Sequence, residues 1–442
     1  LFTGALPYGV PFCFVASIAL ACAMSGIRMG KSAFGRTIRT IKGNNAPIAV
    51  RAAWEKIDNG IVLSKAAGST DGFMFKLTRI DSVESLFNKL SPILLAACVV
   101  FSLLSSFLNG QPRSVLRCFA AISCGMSAFT LLWPFNLPFD MVSKKLAAKG
   151  SAIAGWEGSV SVTNSVALLV KDQDLFSAEG VYINSFKISP WIEARDAILY
   201  AGSMAVKSNA GFCGAFEDLL KQYKLMPQRV SDFDVLDSGG IRGRINDHKI
   251  SFGSEAFMHI SNIHLSGFNS NILGAAFLAV DERAAAVFTL QYLPTEKVQR
   301  SLYRLTNVKS KVKPLFATRD FNLTPAMLRS KFKIDLKDIE PIPYAERFKL
   351  SEDNPDKKAK PIAVLTDNGL NSFADISDSG RQLNSRVKYS KLFSVLCAFL
   401  GLFLMFFSCG GGGFETASPL NALIFHSLFA VLVLITNLAD RQ

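Results

Sequence analysis

A chain of 442 residues has room for roughly two to four domains. Half of it is hydrophobic, with 36 Phe, richer in apolar residues than an ordinary soluble protein. The formal net charge of +13 arises from 48 Lys and Arg dispersed among 35 Asp and Glu. With no basic patch interleaved with aromatics, this charge excludes nucleic acid as the partner, and a lipid bilayer is the expected one.

In chain order, apolar runs occupy residues 6–27, 92–108, 115–139, 392–408 and 420–438. Each comes close to the roughly 20 residues that cross a bilayer as a helix, which predicts five spans, although Pro134 and Pro138 interrupt the third. The first run begins almost at Leu1, so a truncated N-terminus is expected. The connection Leu108 to Ser114 carries only Arg113, and Cys409 to Pro419 carries no Lys or Arg. Segments 28–90 and 143–391 hold nearly all the basic residues, which predicts a multi-pass protein of the cell membrane with both long segments cytoplasmic. Eight cysteines without a C-x-x-C pair read as unpaired thiols, six of them (Cys13, Cys22, Cys98, Cys118, Cys124 and Cys397) in or beside the apolar runs.

Segment 143–391 alternates short apolar runs (Val166–Val170, Gly274–Val280, Val312–Ala317, Pro361–Thr366) with helical stretches such as Thr295–Leu305 and Pro325–Phe332. That alternation predicts a parallel sheet with crossover helices. After the first strand come two helices, Ala194–Val206 and Phe212–Tyr223, and a strand-turn-strand pattern, Ile241–Arg244 and Lys249–Phe252, which read as an inserted domain.

The order of these pieces resembles a P-type ATPase, most closely the heavy-metal-transporting branch, over roughly 90–442. The likeness rests on Lys149-Gly150, Gly155, the strand Val166–Val170 followed by Asp172 and Glu179-Gly180, then Gly239-Gly240-Ile241-Arg242-Gly243 with Gly253-Ser254, and Ser418 to Ala422 through Asn437. It implies an α-helical transmembrane bundle plus a cytoplasmic α/β domain of haloacid-dehalogenase-like, Rossmann-type parallel sheet, with an inserted α+β nucleotide-binding-like domain. The implied division is 1–27 transmembrane helix, 28–90 shortened actuator-like segment, 91–142 transmembrane pair, 143–190 and 265–390 phosphorylation-like domain, 191–264 inserted domain, and 391–442 transmembrane pair. A faint internal echo links Pro7–Phe12 with Pro134–Phe139, and no Thr-Gly-Glu of an actuator domain occurs.

By the same resemblance Asp172 stands at the phosphate-accepting position, and the family's Asp-Lys-Thr-Gly becomes Asp172-Gln173-Asp174-Leu175. The neutral Gln173 removes a cation, Asp174 adds a charge that repels a polyanion, and Leu175 blocks the backbone approach that a glycine permits. Thr-Gly-Asp becomes Thr318-Arg319-Asp320, and the lysine contact becomes Arg347. The magnesium motif Gly-Asp-Gly-x-Asn-Asp becomes Asp367-Asn368-Gly369-Leu370-Asn371-Ser372, with Asn368 and Ser372 in place of carboxylates and Asp367 as an alternative ligand. Nucleotide contacts fall to Gly239, Gly240, Gly243 and Gly253, since the family's Ser-Glu-His-Pro reads Ser208-Asn209-Ala210-Gly211. The glycine turn reads equally as a tight hairpin connection between strands.

In the membrane, Trp133-Pro134-Phe135 replaces the Cys-Pro-Cys of heavy-metal pumps, so no transition metal is expected there. His426 is either a functional intramembrane group or a structural hydrogen-bonding one. Three readings follow. The first is a catalytically inactive pseudo-ATPase that needs no cofactor and serves as a scaffold or regulator for a protein partner. The second is a divergent cation pump using ATP and magnesium, and the third a membrane-tethered phosphohydrolase with Asp172 and Asp174 as an Asp-x-Asp pair.

Overall fold

A computed structural model describes residues 6–43, 47–54, 60–67, 70–111, 114–268, 272–306, 312–334, 342–352, 360–366, 369–411, 413 and 416–438. The chain opens with helix α1 (Leu6–Lys42), a hairpin of β1 (Ile48–Trp54) and β2 (Ile61–Ala67), the short α2 (Phe73–Leu77), and α3 (Ser82–Leu108). Then follow α4 (Val115–Met126), α5 (Trp133–Ala147), β3 (Ala152–Ile153), α6 (Gly155–Thr163), β4 (Ser165–Val170) and α7 (Asp172–Leu175). Strand β5 (Val181–Ile188), α8 (Ala194–Ser208), α9 (Cys213–Gln222), β6 (Ser231–Leu236), β7 (Gly240–Ile245), β8 (His248–Gly253) and α10 (Glu255–Ile260) come next. The remainder is β9 (Ala275–Val280), β10 (Arg283–Tyr292), α11 (Glu296–Thr306), β11 (Lys313–Phe316), α12 (Pro325–Phe332), α13 (Tyr344–Ser351), β12 (Ala363–Leu365), α14 (Leu370–Gly410) and α15 (Pro419–Leu438).

Among the described residues, four helical stretches are long and apolar enough to cross a membrane: Phe12–Lys42, Phe73–Leu108, Leu370–Gly410 and Pro419–Leu438. The predicted fifth span over 115–139 does not form as one helix. It divides into α4, 12 residues and so only about 18 Å long, and α5, which starts at Trp133. Pro134 sits in the first turn of α5, where its missing N–H costs nothing, and the chain turns at Ser127–Leu132 ahead of it. Leu103, Phe107, Leu404, Phe407 and Leu428 point outward, as lipid-facing positions should. Inside the bundle, Gly125 and Gly401 let α4 and α14 touch: a Cβ on Gly401 would lie 1.8 Å from the Gly125 carbonyl oxygen.

The first sheet has the order β11-β4-β2-β1-β12-β3. Its β11 and β2 both run parallel to β4, whereas β1 is antiparallel to β2 and to β12. This corrects the reading of 28–90 as a shortened actuator. Helix α1 continues to Lys42, and the hairpin enters the sheet through Val50, Val62 and Leu63, all buried in its core. Just before β2, Gly60 lies so close to Val166 that a Cβ would come within 2.2 Å of a Val166 methyl.

The second sheet is antiparallel throughout, in the order β5-β10-β9-β8-β7-β6. The inserted unit therefore runs from Val181 to Tyr292 rather than over 191–264, because β5 and β10 pair from Val181↔Tyr292 to Ile188↔Ala286. The apolar run Gly274–Val280, expected in the parallel sheet, supplies β9 of this second one. Phe212, Phe216, Phe252 and Phe288 pack edge to face across it. Phe321, from the loop after β11, inserts against Phe212 and Phe252 with centroids at 5.1 and 5.6 Å, and so fastens the two units together.

Helix α14, 41 residues and about 60 Å long, connects the first sheet to the bundle. Near its start the buried Asp375 accepts from Lys149 at 2.6 Å and from Arg304 at 3.2 Å, which fixes its angle against α11.

Candidate functional site

Parallel pairing of β4 with β11 places Phe316 opposite Val170, and the Ala317 amide donates to the Val170 carbonyl at 2.9 Å. Both chains turn immediately afterwards, so Asp172, Thr318, Asp320 and Arg347 converge at one edge of the sheet. The Asp172 carboxylate accepts the Arg319 amide at 2.8 Å on one oxygen and the Asp320 amide at 3.1 Å on the other. Asp320 is fully buried; it accepts from the Tyr292 hydroxyl at 2.7 Å and from the Asn322 amide at 2.8 Å. Arg347 Nη1 donates to Thr318 Oγ1 at 3.0 Å and to the Leu323 carbonyl at 3.1 Å. Burial pushes the Asp172 carboxyl up, opposed by its two amide donors and the Arg347 charge. Burial, and next the Asp172 charge, push Asp320 up to about 7.

One face of Asp172 is closed by the inserted unit. Ser208 ends α8, Asn209 takes a left-handed conformation at φ 49°, and the chain returns so that a Cβ on Gly211 would stand 3.1 Å from Asp172 Oδ1. Arg319 reinforces the closure by donating to the Ser208 carbonyl at 3.4 Å and to Ser351 Oγ at 2.6 Å. Residues 208–211 thus pack against Asp172.

Asp174 has a different set of partners. One oxygen accepts the Lys171 amide at 2.9 Å, and the other pairs with Lys65 of β2, both side chains being almost wholly buried. Leu175, where the family has glycine, is a fully buried core residue. Both Asp174 oxygens are thus engaged within the fold, one by a backbone amide and one by a lysine ammonium.

Asp367 and Asn368 lie outside the described residues. Asn371 Oδ1 accepts from Ser301 Oγ at 3.3 Å, which points it at α11. Strand β12, which leads into this loop, is three strand spacings from β4, about 14 Å. Magnesium holds its ligands at about 2.1 Å and prefers carboxylates and water. The described residues do not fit it: a lysine ammonium meets Asp174, and Asn371 is turned toward α11.

The glycines of the inserted unit serve packing. A Cβ on Gly240 or Gly253 would strike the Phe257 ring at 2.3 or 2.5 Å, and one on Gly243 would strike Val230 at 2.5 Å. Gly239, at φ 87°, makes the turn between β6 and β7, consistent with the hairpin reading. It also borders a cavity of about 420 Å³ shared with Ser254, Phe321, Tyr344 and Arg347.

In the bundle, the Trp133 indole N–H donates to the Cys22 carbonyl at 2.9 Å and to Ser25 Oγ at 3.0 Å, and Phe135 stacks on Phe139. His426 lies 3.2 Å from Cys397 Sγ through Nδ1 and 2.9 Å from the Cys124 carbonyl through Nε2, a hydrogen-bonded structural position. Among the described residues no group of three or more His, Cys, Asp or Glu could hold a metal ion. Lys65 and Tyr292 were not foreseen as site residues, Arg319 entered only as the middle residue of Thr318-Arg319-Asp320, and a charge in the largely apolar Ile61–Ala67 was the one signal for Lys65.

These features define a helical membrane bundle joined to an α/β unit whose first and later strands are separated in sequence by an antiparallel insert. The chain is similar in structure to a zinc-transporting PIB-type ATPase, with 11% identity, 96% of this chain and 86% of that chain covered, and a TM-score of 0.48. A second structure of a zinc-transporting PIB-type ATPase, in another state, gives 10% identity, 96% and 87% coverage and a TM-score of 0.41. The N-domain of HMA6, a copper-transporting P-type ATPase, is covered over 99% of its length by 25% of this chain, at 14% identity and a TM-score of 0.21. No family model and no curated protein matches the sequence.

Proposed function

We propose that this chain is a P-type ATPase-like integral membrane protein that does not run an aspartyl-phosphate cycle and acts as a scaffold or regulator, with its α/β units on the cytoplasmic side. The observation that carries this reading is the β1–β2 hairpin standing between β4 and β12. Phosphoryl transfer needs a nucleophile, a cation and a nucleotide phosphate within one coordination sphere. Three strand spacings separate β4, which leads to Asp172, from β12, and Lys65 takes the charge of Asp174. Incubation of the purified protein with labelled ATP and magnesium, acid quench and hydroxylamine treatment tests the proposal. No hydroxylamine-sensitive label is expected; a label abolished by Asp172→Asn overturns the reading.

One arrangement favours a second reading, a divergent cation pump. Asp172, Thr318, Asp320 and Arg347 do converge, and Arg347 retains a cation beside the carboxylates. A positive result in the same assay selects it.

A further inference from the structure

We propose that Lys65, carried into the sheet by the β1–β2 hairpin, is a tethered cation that takes the place of a divalent metal beside Asp174, so that the folded site is metal-independent. This rests on the reading of the Asp172 loop as a site that is not phosphorylated. Four observations converge on Lys65. Strand β2 runs parallel to β4 with Val62 opposite Ala167 and Leu63 opposite Leu168, and this register brings the next inward-facing side chain, Lys65, to the carboxyl end of β4. There its ammonium pairs with Asp174, the two side chains being 5% and 1% exposed. The buried Phe373 ring of α14 closes the other side, with its centroid 5.5 Å from Nζ. The second Asp174 oxygen is held by the Lys171 amide, so the carboxylate is turned toward the ammonium.

A hydrated divalent cation and a lysine ammonium answer the same need, a positive charge against a buried carboxylate. They differ in what they require. Magnesium brings several waters and demands further oxygen ligands, whereas a lysine arrives already bonded to the fold and asks only for a carboxylate and a fitted cavity. The site supplies the second set: a ring, an ion-paired carboxylate, and a neighbouring Asp172 already engaged by the Arg319 and Asp320 amides. With Lys65 in place, a metal would have to displace a covalently attached competitor of very high effective concentration.

Mn²⁺ binding, followed by the loss of the free-ion electron paramagnetic resonance signal, tests this on the protein in detergent. The wild type and Lys65→Arg should leave the signal unchanged. Lys65→Ala, which vacates the space beside Asp174, should bind Mn²⁺ at least about tenfold more tightly than wild type. Lys65→Ala/Asp174→Asn should lose that gain. Stoichiometric Mn²⁺ binding by the wild type, or no gain in Lys65→Ala that remains folded, overturns the inference. Should Lys65→Ala fail to fold, thermal unfolding of Lys65→Met and Lys65→Met/Asp174→Asn decides: the double variant should melt higher, since the single one strands a buried carboxylate, and equal or lower melting overturns the inference. The arms separate the two claims. A label on Asp172 in the ATP assay defeats the inactive reading whatever Mn²⁺ does, while an unchanged Lys65→Ala defeats the tethered cation and leaves the inactive reading standing.

Discussion

At the scale of single residues, Asp172, Thr318 and Asp320 were legible as positions just after the strands Val166–Val170 and Val312–Ala317, whereas Arg347 was named only through the resemblance and its helix α13 was not foreseen. Lys65 was not legible, since its partner lies 109 positions away and the pairing depends on a hairpin register that no local pattern fixes. Asp320 gives a pH prediction. Its carboxyl is raised from 3.8 to about 7, by burial first and the Asp172 charge second. Between about pH 4 and about pH 7 the folded state keeps a proton that the unfolded chain has released, so stability should fall as pH rises through this window and level off above it. Asp320→Asn keeps an acceptor for the Asn322 amide and removes the titration. Its melting temperature should be flatter with pH and higher than wild type at about pH 8. Parallel curves for the two proteins would count against this placement of Asp320.

At the scale of elements, strands Val166–Val170, Val312–Ala317 and Pro361–Thr366 were read close to their observed places, whereas Gly274–Val280 was assigned to the wrong sheet. The reason is physical: an all-apolar strand such as β9, buried on both faces, looks the same in a parallel sheet and in a covered antiparallel one. The break between α4 and α5 was visible only as Pro134 and Pro138, because the hydropathy of 115–139 does not register a turn. Two glycine contacts yield predictions. Gly253→Ala must push its Cβ into the fully buried Phe257 ring and the Gly240 backbone, and should cost about 1–3 kcal/mol in denaturant unfolding of the α/β units. Gly401→Leu meets the Gly125 backbone, which cannot rotate aside, and should separate α4 from α14. Retention of wild-type detergent stability in Gly401→Leu would contradict the close crossing.

At the scale of the whole molecule, the membrane class and the presence of an inserted unit followed from composition and element order. The insertion of strands Ile48–Trp54 and Ile61–Ala67 into the first sheet did not, because β pairing between distant segments is written in side-chain fit rather than in period. Sidedness is tested by impermeant thiol labelling in intact cells. A cysteine at Gln111, in the short loop after α3, should label, and one at Gln222, at the end of α9, should not. Labelling of the latter reverses the topology. Freshly purified protein should carry no stoichiometric zinc or copper, since the thiolates of a Cys-Pro-Cys site stand here as Trp133 and Phe135. Metal at one equivalent would refute this.

The central claim is that β1 and β2 stand between β4 and β12, which are therefore three strand spacings apart. Spin labels at Gln173 and Thr366, in a background with the native cysteines replaced, measure that separation by dipolar broadening and pulsed distance spectroscopy. A backbone separation near or beyond about 14 Å is the expected result. Strong broadening from labels on directly adjacent strands, about 5 Å between backbones, would contradict the intercalated hairpin and with it the inactive reading.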